Sequence, residues 1–209
     1  MNDPAYWVSG VRIFWSGLRR RVQKGPVFAW RFIGPVPERL VMVPPDLRPN
    51  DPLVARDIYE GRYSFAGRVI DTAGASPFSV VPPSPAWEDA LNRFRWLRHM
   101  KGAGSDLAST NARALVNDWI LSHGRNLNGN PWKMEVTAAR VIAWMQYSRL
   151  LLIDSDPVFY RRFMGSLARQ VRYLRGLAGS MSDDLDALNV RIALAYASQV
   201  LPTSQRYEK

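Results

Sequence analysis

Apolar residues recur at helical spacing from the start of the chain. Trp7, Val11, Phe14, Trp15 and Leu18 predict a helix over 4–22, with Pro4 in its first turn. Arg19, Arg20 and Arg21 fall at its end, where cations suit the helix dipole, and Gly25-Pro26 stops it. The pattern then changes. Seven prolines between 26 and 52 leave no regular element, yet Phe28, Trp30, Phe32, Leu40, Val41 and Met42 are apolar. That combination predicts an extended segment packed across a larger body. A short helix over 53–60 follows, then one or two short strands around Gly67, with Tyr63, Phe65 and Val69 set among small or polar residues.

From Ser84 the pattern is helical to the end. Ser84 can cap, Pro85 fits the first helical position, and Trp87, Leu91, Phe94 and Leu97 share a face; Gly102 and Gly104 end this helix. The next spans 105–123, with Ala108, Ala112, Leu115, Val116 and Trp119 inward and His123-Gly124 at its end. A turn-rich loop covers 126–131. The segment 132–153 is apolar nearly all round and predicts a buried helix. Asp156-Pro157 opens another, with Tyr160, Phe163, Met164, Leu167, Val171 and Leu174 inward. Its outer face carries Arg161, Arg162, Arg169, Arg172 and Arg175, and Gly176 and Gly179 end it. A last helix starts near Ser182, behind Asp183, Asp184 and Asp186, and stops at Pro202. Helices spaced by about 25 residues with short loops predict stacked antiparallel hairpins. Their unlike lengths and faces fit a toroid or superhelix, not a tetratricopeptide or ankyrin array. The fold class is therefore mainly α, an incomplete α/α toroid. An N-terminal helix with an irregular proline-rich and short-strand segment covers 1–83, and the helical hairpins, part of the toroid, cover 84–209.

Composition narrows the function classes. With 47% apolar and 11% aromatic residues the 209-residue chain is not a disordered one. The absence of cysteine excludes disulfides, Cys-ligated zinc and thiol catalysis. No run of eighteen apolar residues predicts a membrane span, and Asp3-Pro4 followed by Arg12 does not read as a signal peptide. The net charge is +10, and of the 28 basic residues only 4 are Lys. Guanidinium forks match carboxylate, sulfate or phosphate in two-point contacts, so an anionic partner is expected: acidic polysaccharide, nucleic acid or a lipid surface. A merely solvated basic surface is the competing reading, also for the Arg161–Arg175 stripe.

Specific chemistry is sparse. Gly102-Ala-Gly104 lacks the lysine and strand of a phosphate loop, so no nucleotide cofactor is expected. His99 and His123 lack ligand spacing and read as helix-end caps, so no metal is expected. No Gly-x-Ser-x-Gly elbow is present. Glu135 is the one acid inside the most apolar helix and predicts an ion pair with a nearby arginine. Trp87, Trp119 and Trp144 sit at core spacing. Trp132 follows a polar loop at a helix mouth and is the best cleft-facing ring. Trp15 with Arg19–Arg21 also allows membrane-surface docking, ranked below burial of the aromatic face within the fold.

Six stretches in order resemble the N-terminal region of heparinase II/III-like proteins of an alphaproteobacterial branch. They are Trp15-Ser-Gly-Leu-Arg, Pro44-Pro-Asp-Leu, Gly61-Arg-Tyr-Ser-Phe-Ala-Gly, Phe94-Arg-Trp-Leu-Arg, Trp132-Lys-Met-Glu-Val-Thr-Ala-Ala-Arg140 and Arg191-Ile-Ala-Leu-Ala-Tyr-Ala. The resemblance covers nearly the whole chain. It implies an α/α toroid, followed in the family by a β-sandwich that is not expected within these residues. It also implies β-elimination on uronic-acid-containing polysaccharides, in which the charge developing beside a carboxylate must be neutralised. The family's catalytic Tyr and His correspond to positions after Lys209, and Leu185-Asp186 stands where characterised lyases carry Asn-His. No catalytic residue is therefore assigned. Trp132, Glu135 and Arg140 match a pattern near the family's cleft and are the expected substrate-binding residues. Glu135 and Arg140 lie about 140° apart around a helix and cannot face one subsite. The expected partner is an acidic polysaccharide. The compartment is periplasmic by resemblance and cytoplasmic by the missing signal. A non-catalytic anionic-glycan module and a basic helical nucleic-acid binder are the alternatives. An incomplete ring also predicts an apolar flank on the last hairpins and poor solubility.

Overall fold

A computed structural model describes residues 32–179 and 185–202. The helix expected over 4–22, the basic run 19–21 and the start of the last helix near Ser182 lie outside the described residues. Those residues hold eight α-helices and one two-stranded sheet, so the fold is mainly helical.

Residues 33–50 form no regular element. They run as a strap across the helices, because carbonyls and amides freed by the prolines find partners on the body. Val41 N–H donates to Val200 O at 2.8 Å, and the Tyr160 hydroxyl donates to Glu38 O at 2.7 Å. Asp51 then caps α1 (Pro52–Tyr59), accepting from Leu53 N–H at 2.9 Å. The hairpin β1 (Arg62–Phe65) and β2 (Arg68–Asp71) is antiparallel, pairing Tyr63 with Ile70 and Phe65 with Arg68. Ala66 and Gly67 both take positive φ, 48° and 72°, the primed turn that matches strand twist.

Ser84 caps α2 (Pro85–Asn92) as the sequence predicts, accepting from Trp87 N–H at 3.2 Å. The single helix expected from Ser84 to Gly102 is corrected. It breaks after Asn92, and α3 (Leu97–Ala103) begins after a tight turn. The cause is Phe94. Its ring sits 5.6 Å from Trp144, 5.1 Å from Trp96 and stacks on Phe78 at 5.8 Å, and reaching that position requires φ of 56°. Ser105 caps α4 (Asp106–His123).

The helix expected over 132–153 is also divided. A 3-10 turn (Asn130–Trp132) leads to α5 (Met134–Gln146), and Tyr147 at φ −105° separates it from α6 (Ser148–Leu152). Ten of the thirteen residues of α5 are buried, which fits its all-round apolar pattern. Asp156 caps α7 (Pro157–Ala178), accepting from both Val158 and Phe159 N–H at 2.9 Å. Gly176 does not end α7. It lies within it, where a Cβ would come 2.9 Å from the Phe32 ring, so glycine serves close packing of the strap. The last helix is α8 (Leu185–Val200), packed on α5 and α7.

One apolar cluster joins these parts. Ala55, Ile58 and Tyr63 share it with Trp87, Trp119, Trp144, Phe163 and Val190, so it runs across the boundary near 83. The outer face of α8 leaves Leu185, Leu188 and Ile192 exposed at helical spacing. No helix among the described residues is long and apolar enough to cross a membrane.

The helix-end placement expected of both histidines holds for His123 and not for His99. His99 is buried within α3, and its Nδ1 accepts from Asp51 N–H at 2.9 Å, tying α3 to the cap of α1. His123 ends α4 but stacks on Trp119 at 5.9 Å. Burial, then neighbouring Arg98 or Arg140, depresses both pKa values below 6.5. Both rings fold neutral, so the stability they contribute is complete above pH 6.5 and lost as acid protonates the unfolded chain preferentially. The urea midpoint is expected to fall between pH 7.5 and 5, and the double substitution His99→Gln with His123→Gln to flatten that fall.

Candidate functional site

The three residues expected to bind substrate do not line one cleft. Trp132 is 2% exposed. Its ring packs against Tyr173 at 5.1 Å and Trp119 at 6.0 Å, and its indole N–H donates to His123 O at 2.8 Å. The cleft-facing placement is thus corrected: the indole is turned inward against Trp119, Tyr173 and the end of α4. Arg140 is fully buried. Its guanidinium lies 3.9 Å from the Trp119 ring centroid. Its nitrogens donate to Gln170 Oε1 at 2.7 Å, Pro131 O at 2.7 Å, Asn92 O at 3.1 Å and Thr137 Oγ1 at 3.2 Å. Burial drives its pKa well below the ordinary arginine value, and these acceptors and π faces hold the cation in place of a carboxylate.

Glu135 is half-buried in the first turn of α5, where its charge meets the positive end of the helix dipole. The ion pair with a nearby arginine expected for it is absent among the described residues, and Arg140 spends its donors elsewhere. Trp132 and Arg140 are therefore architectural. Arg140→Ala is expected to cost about 3–5 kcal/mol, since four acceptors lose their donor and a cavity opens under Trp119. Arg140→Lys, which lacks the fork, should recover only part of that loss in a urea titration.

The strongest concentration of binding chemistry lies elsewhere. A recess of about 380 Å³ opens between the outer face of α7, the end of α4 and strap residues 32–36. Arg125, Arg161, Arg162, Arg169 and Arg172 line it, and among the described residues no Asp or Glu does. Gly165 leaves its floor open: a Cβ there would meet nothing within 4 Å. Ile33 and Leu121, both exposed, supply apolar wall.

The five arginines divide into two groups. Arg172 donates to Phe32 O at 3.0 Å and to Pro35 O, fastening the strap to α7. Partial burial, then Arg169 and Arg175, lowers its pKa. Arg169 donates to Gly124 O at 3.0 Å, and Arg162 to Asn117 Oδ1. These three are positioned by neutral acceptors, so their charge remains uncompensated. Arg125 and Arg161 are exposed and make no hydrogen bond or ion pair among the described residues. Guanidinium forks, fixed or free, can each offer two donors to one carboxylate, sulfate or phosphate group.

The arginine stripe was visible in the sequence, but its role as a groove was not. The available signal was Gly165, a residue without a side chain inside the stripe; the wall contributed by Arg125 and the strap had no local signal. The groove and helical body define a mainly helical protein with an arginine-lined recess. No protein family's sequence profile matches the chain, and no solved structure does. The chain is 29% identical over 141 residues to FtsZ-localized protein C of Caulobacter vibrioides (strain NA1000 / CB15N). The match covers 67% of this chain and 24% of that protein, so the chain spans about a quarter of the curated relative.

Proposed function

We propose that this chain is the N-terminal, polysaccharide-gripping part of a heparinase II/III-like lyase, an arc of an α/α toroid that holds an acidic strand in the arginine groove. The observation that carries the reading is a recess lined by five arginines and, among the described residues, by no carboxylate. Repeating carboxylate or sulfate groups offer two acceptors to each guanidinium, while Ile33 and Leu121 can meet the apolar faces of sugar rings. On this reading these residues bind, and the β-elimination chemistry is carried outside them.

Arg125→Ala with Arg161→Ala is expected to weaken binding of a uronate polymer by about tenfold with little change in thermal stability, since both side chains are exposed and unpaired. Isothermal titration against heparan sulfate, chondroitin, alginate and a neutral glucan measures it. Equal binding of the neutral glucan would remove the polysaccharide reading. Duplex DNA bound more tightly, with a steep salt slope, would favour a nucleic-acid binder. Ultraviolet absorbance of unsaturated uronate ends, followed with the full-length protein, tests the lyase step.

A second reading rests on the likeness to FtsZ-localized protein C: the chain takes part in recruitment to FtsZ. A fluorescent fusion that coincides with FtsZ in dividing cells, and disperses when FtsZ is depleted, is its expected result.

A further inference from the structure

A second recess, also of about 380 Å³, opens between α4, the end of α1 and the segment 72–77 that follows β2. Asn111, Ala114, Leu115 and Asp118 line it from α4. They are three or four residues apart in turn and so share one face of that helix. Ala114 and Leu115 make the middle of this wall apolar. Asn111 and Asp118 stand at its two ends, about 10 Å apart along the helix axis.

The charge of this recess is opposite to that of the groove. The chain carries +10, yet no Lys, Arg or His is among the described residues that line it. Its two acids are Glu60 and Asp118. Glu60 is exposed and already paired with Arg56 at 2.9 Å and Arg62 at 2.5 Å. Asp118 is half-buried and forms no ion pair among the described residues. One of its oxygens accepts from the Ser76 hydroxyl, and no described residue donates to the other. Ser76 and Thr72 are committed, since Ser76 also accepts from Phe78 N–H at 3.1 Å and Thr72 donates to Gly61 O at 3.2 Å. Burial, then the charge of Asp118, pushes the Tyr63 hydroxyl up to about 12, so this phenol stays neutral.

Two other lining residues hold unmet polar atoms. The Tyr59 hydroxyl and Asn111 Oδ1 are shielded from solvent and have no hydrogen-bond partner among the described residues. Native folds rarely leave such atoms unpaired. These two come from different elements, α1 and α4, and the recess is what they share. A free carboxylate oxygen, an unmet amide oxygen and an unmet hydroxyl, set around an apolar wall without a cation, match positively charged N–H donors joined by methylenes.

We propose that this recess binds a short aliphatic diamine, with one ammonium on Asp118, the methylenes along Ala114 and Leu115, and the second ammonium donating to Asn111 Oδ1 and the Tyr59 hydroxyl. A four-carbon diamine with a hydrogen bond at each end covers about the span between Asn111 and Asp118. The site shares no residue with the arginine groove, so it stands apart from the polysaccharide reading.

The test is isothermal titration of the whole chain with putrescine, the four-carbon diamine, at fixed ionic strength. One saturable site is expected. The uncharged butanediol of the same length is expected not to bind, and butylamine, with one ammonium, to bind at least about fivefold more weakly. Asp118→Asn keeps an acceptor for Ser76 and removes the charge. Ala114→Leu, at an exposed position, fills the wall without removing a polar group. Each should weaken putrescine binding by about tenfold or more, whereas Arg125→Ala with Arg161→Ala should leave it unchanged. Far-ultraviolet circular dichroism checks folding, and if Asp118→Asn does not fold, Ala114→Leu decides. The proposal is overturned if putrescine shows no saturable binding, if butanediol or butylamine binds as tightly, or if either folded variant binds putrescine as the unsubstituted chain does.

Discussion

The buried guanidinium of Arg140 is the constraint on which the helical body depends. A cation 0% exposed must be hydrogen-bonded on several sides or it would exclude itself from the core. Here it takes acceptors from the end of α2, the loop before α5, α5 itself and α7. Those four contacts fix the mutual placement of elements that would otherwise meet only through apolar surface, which is not directional. The Tyr173 hydroxyl reinforces the same corner by donating to Trp132 O at 2.7 Å. Trp119 and Trp132 then close around the charge with their π faces.

Arginine is used in two opposite ways in this fold. Arg140, Arg169 and Arg172 donate to backbone carbonyls that helix ends and an irregular strap leave without partners. These are structural roles that a long fork with several donors fills better than lysine. Arg125, Arg161 and Arg95 project from the same framework without such partners. Because the structural arginines are answered by neutral acceptors, they add to the positive field around the free ones. The basic composition is therefore organised into local concentrations and not spread as a uniform solvated coat. Under the proposed reading, that organisation is what an acidic polymer would meet.

Much of the helical layout was legible in the sequence because it is set by local signals. Ser84, Ser105 and Asp156 cap their helices, Pro85 and Pro157 start them, and the all-round apolar pattern of 132–153 marks the central helix. The hairpin around Gly67 and the short helix from Pro52 were equally visible. The expected apolar flank has a counterpart in Leu185, Leu188 and Ile192 on α8. Less legible were the breaks at Phe94 and Tyr147. Neither residue is a helix breaker by propensity; each turns because its side chain reaches a partner distant in sequence, the aromatic cluster in one case and Asp46 in the other.

The candidate site divides in the same way. The sequence by itself determined that this is a mainly helical, cysteine-free and arginine-rich chain with an irregular proline-rich segment, because periodicity, capping and composition act over a few residues. It could not determine which arginines are buried and which are free. Nor could it show that Trp132 turns inward, or that Glu135 sits at the positive end of a dipole instead of pairing with an arginine. Those outcomes were decided only when the strap, α4 and α7 came together, since burial and hydrogen-bond partnership belong to the packed molecule: a guanidinium is structural or available according to the carbonyls that tertiary contacts place beside it.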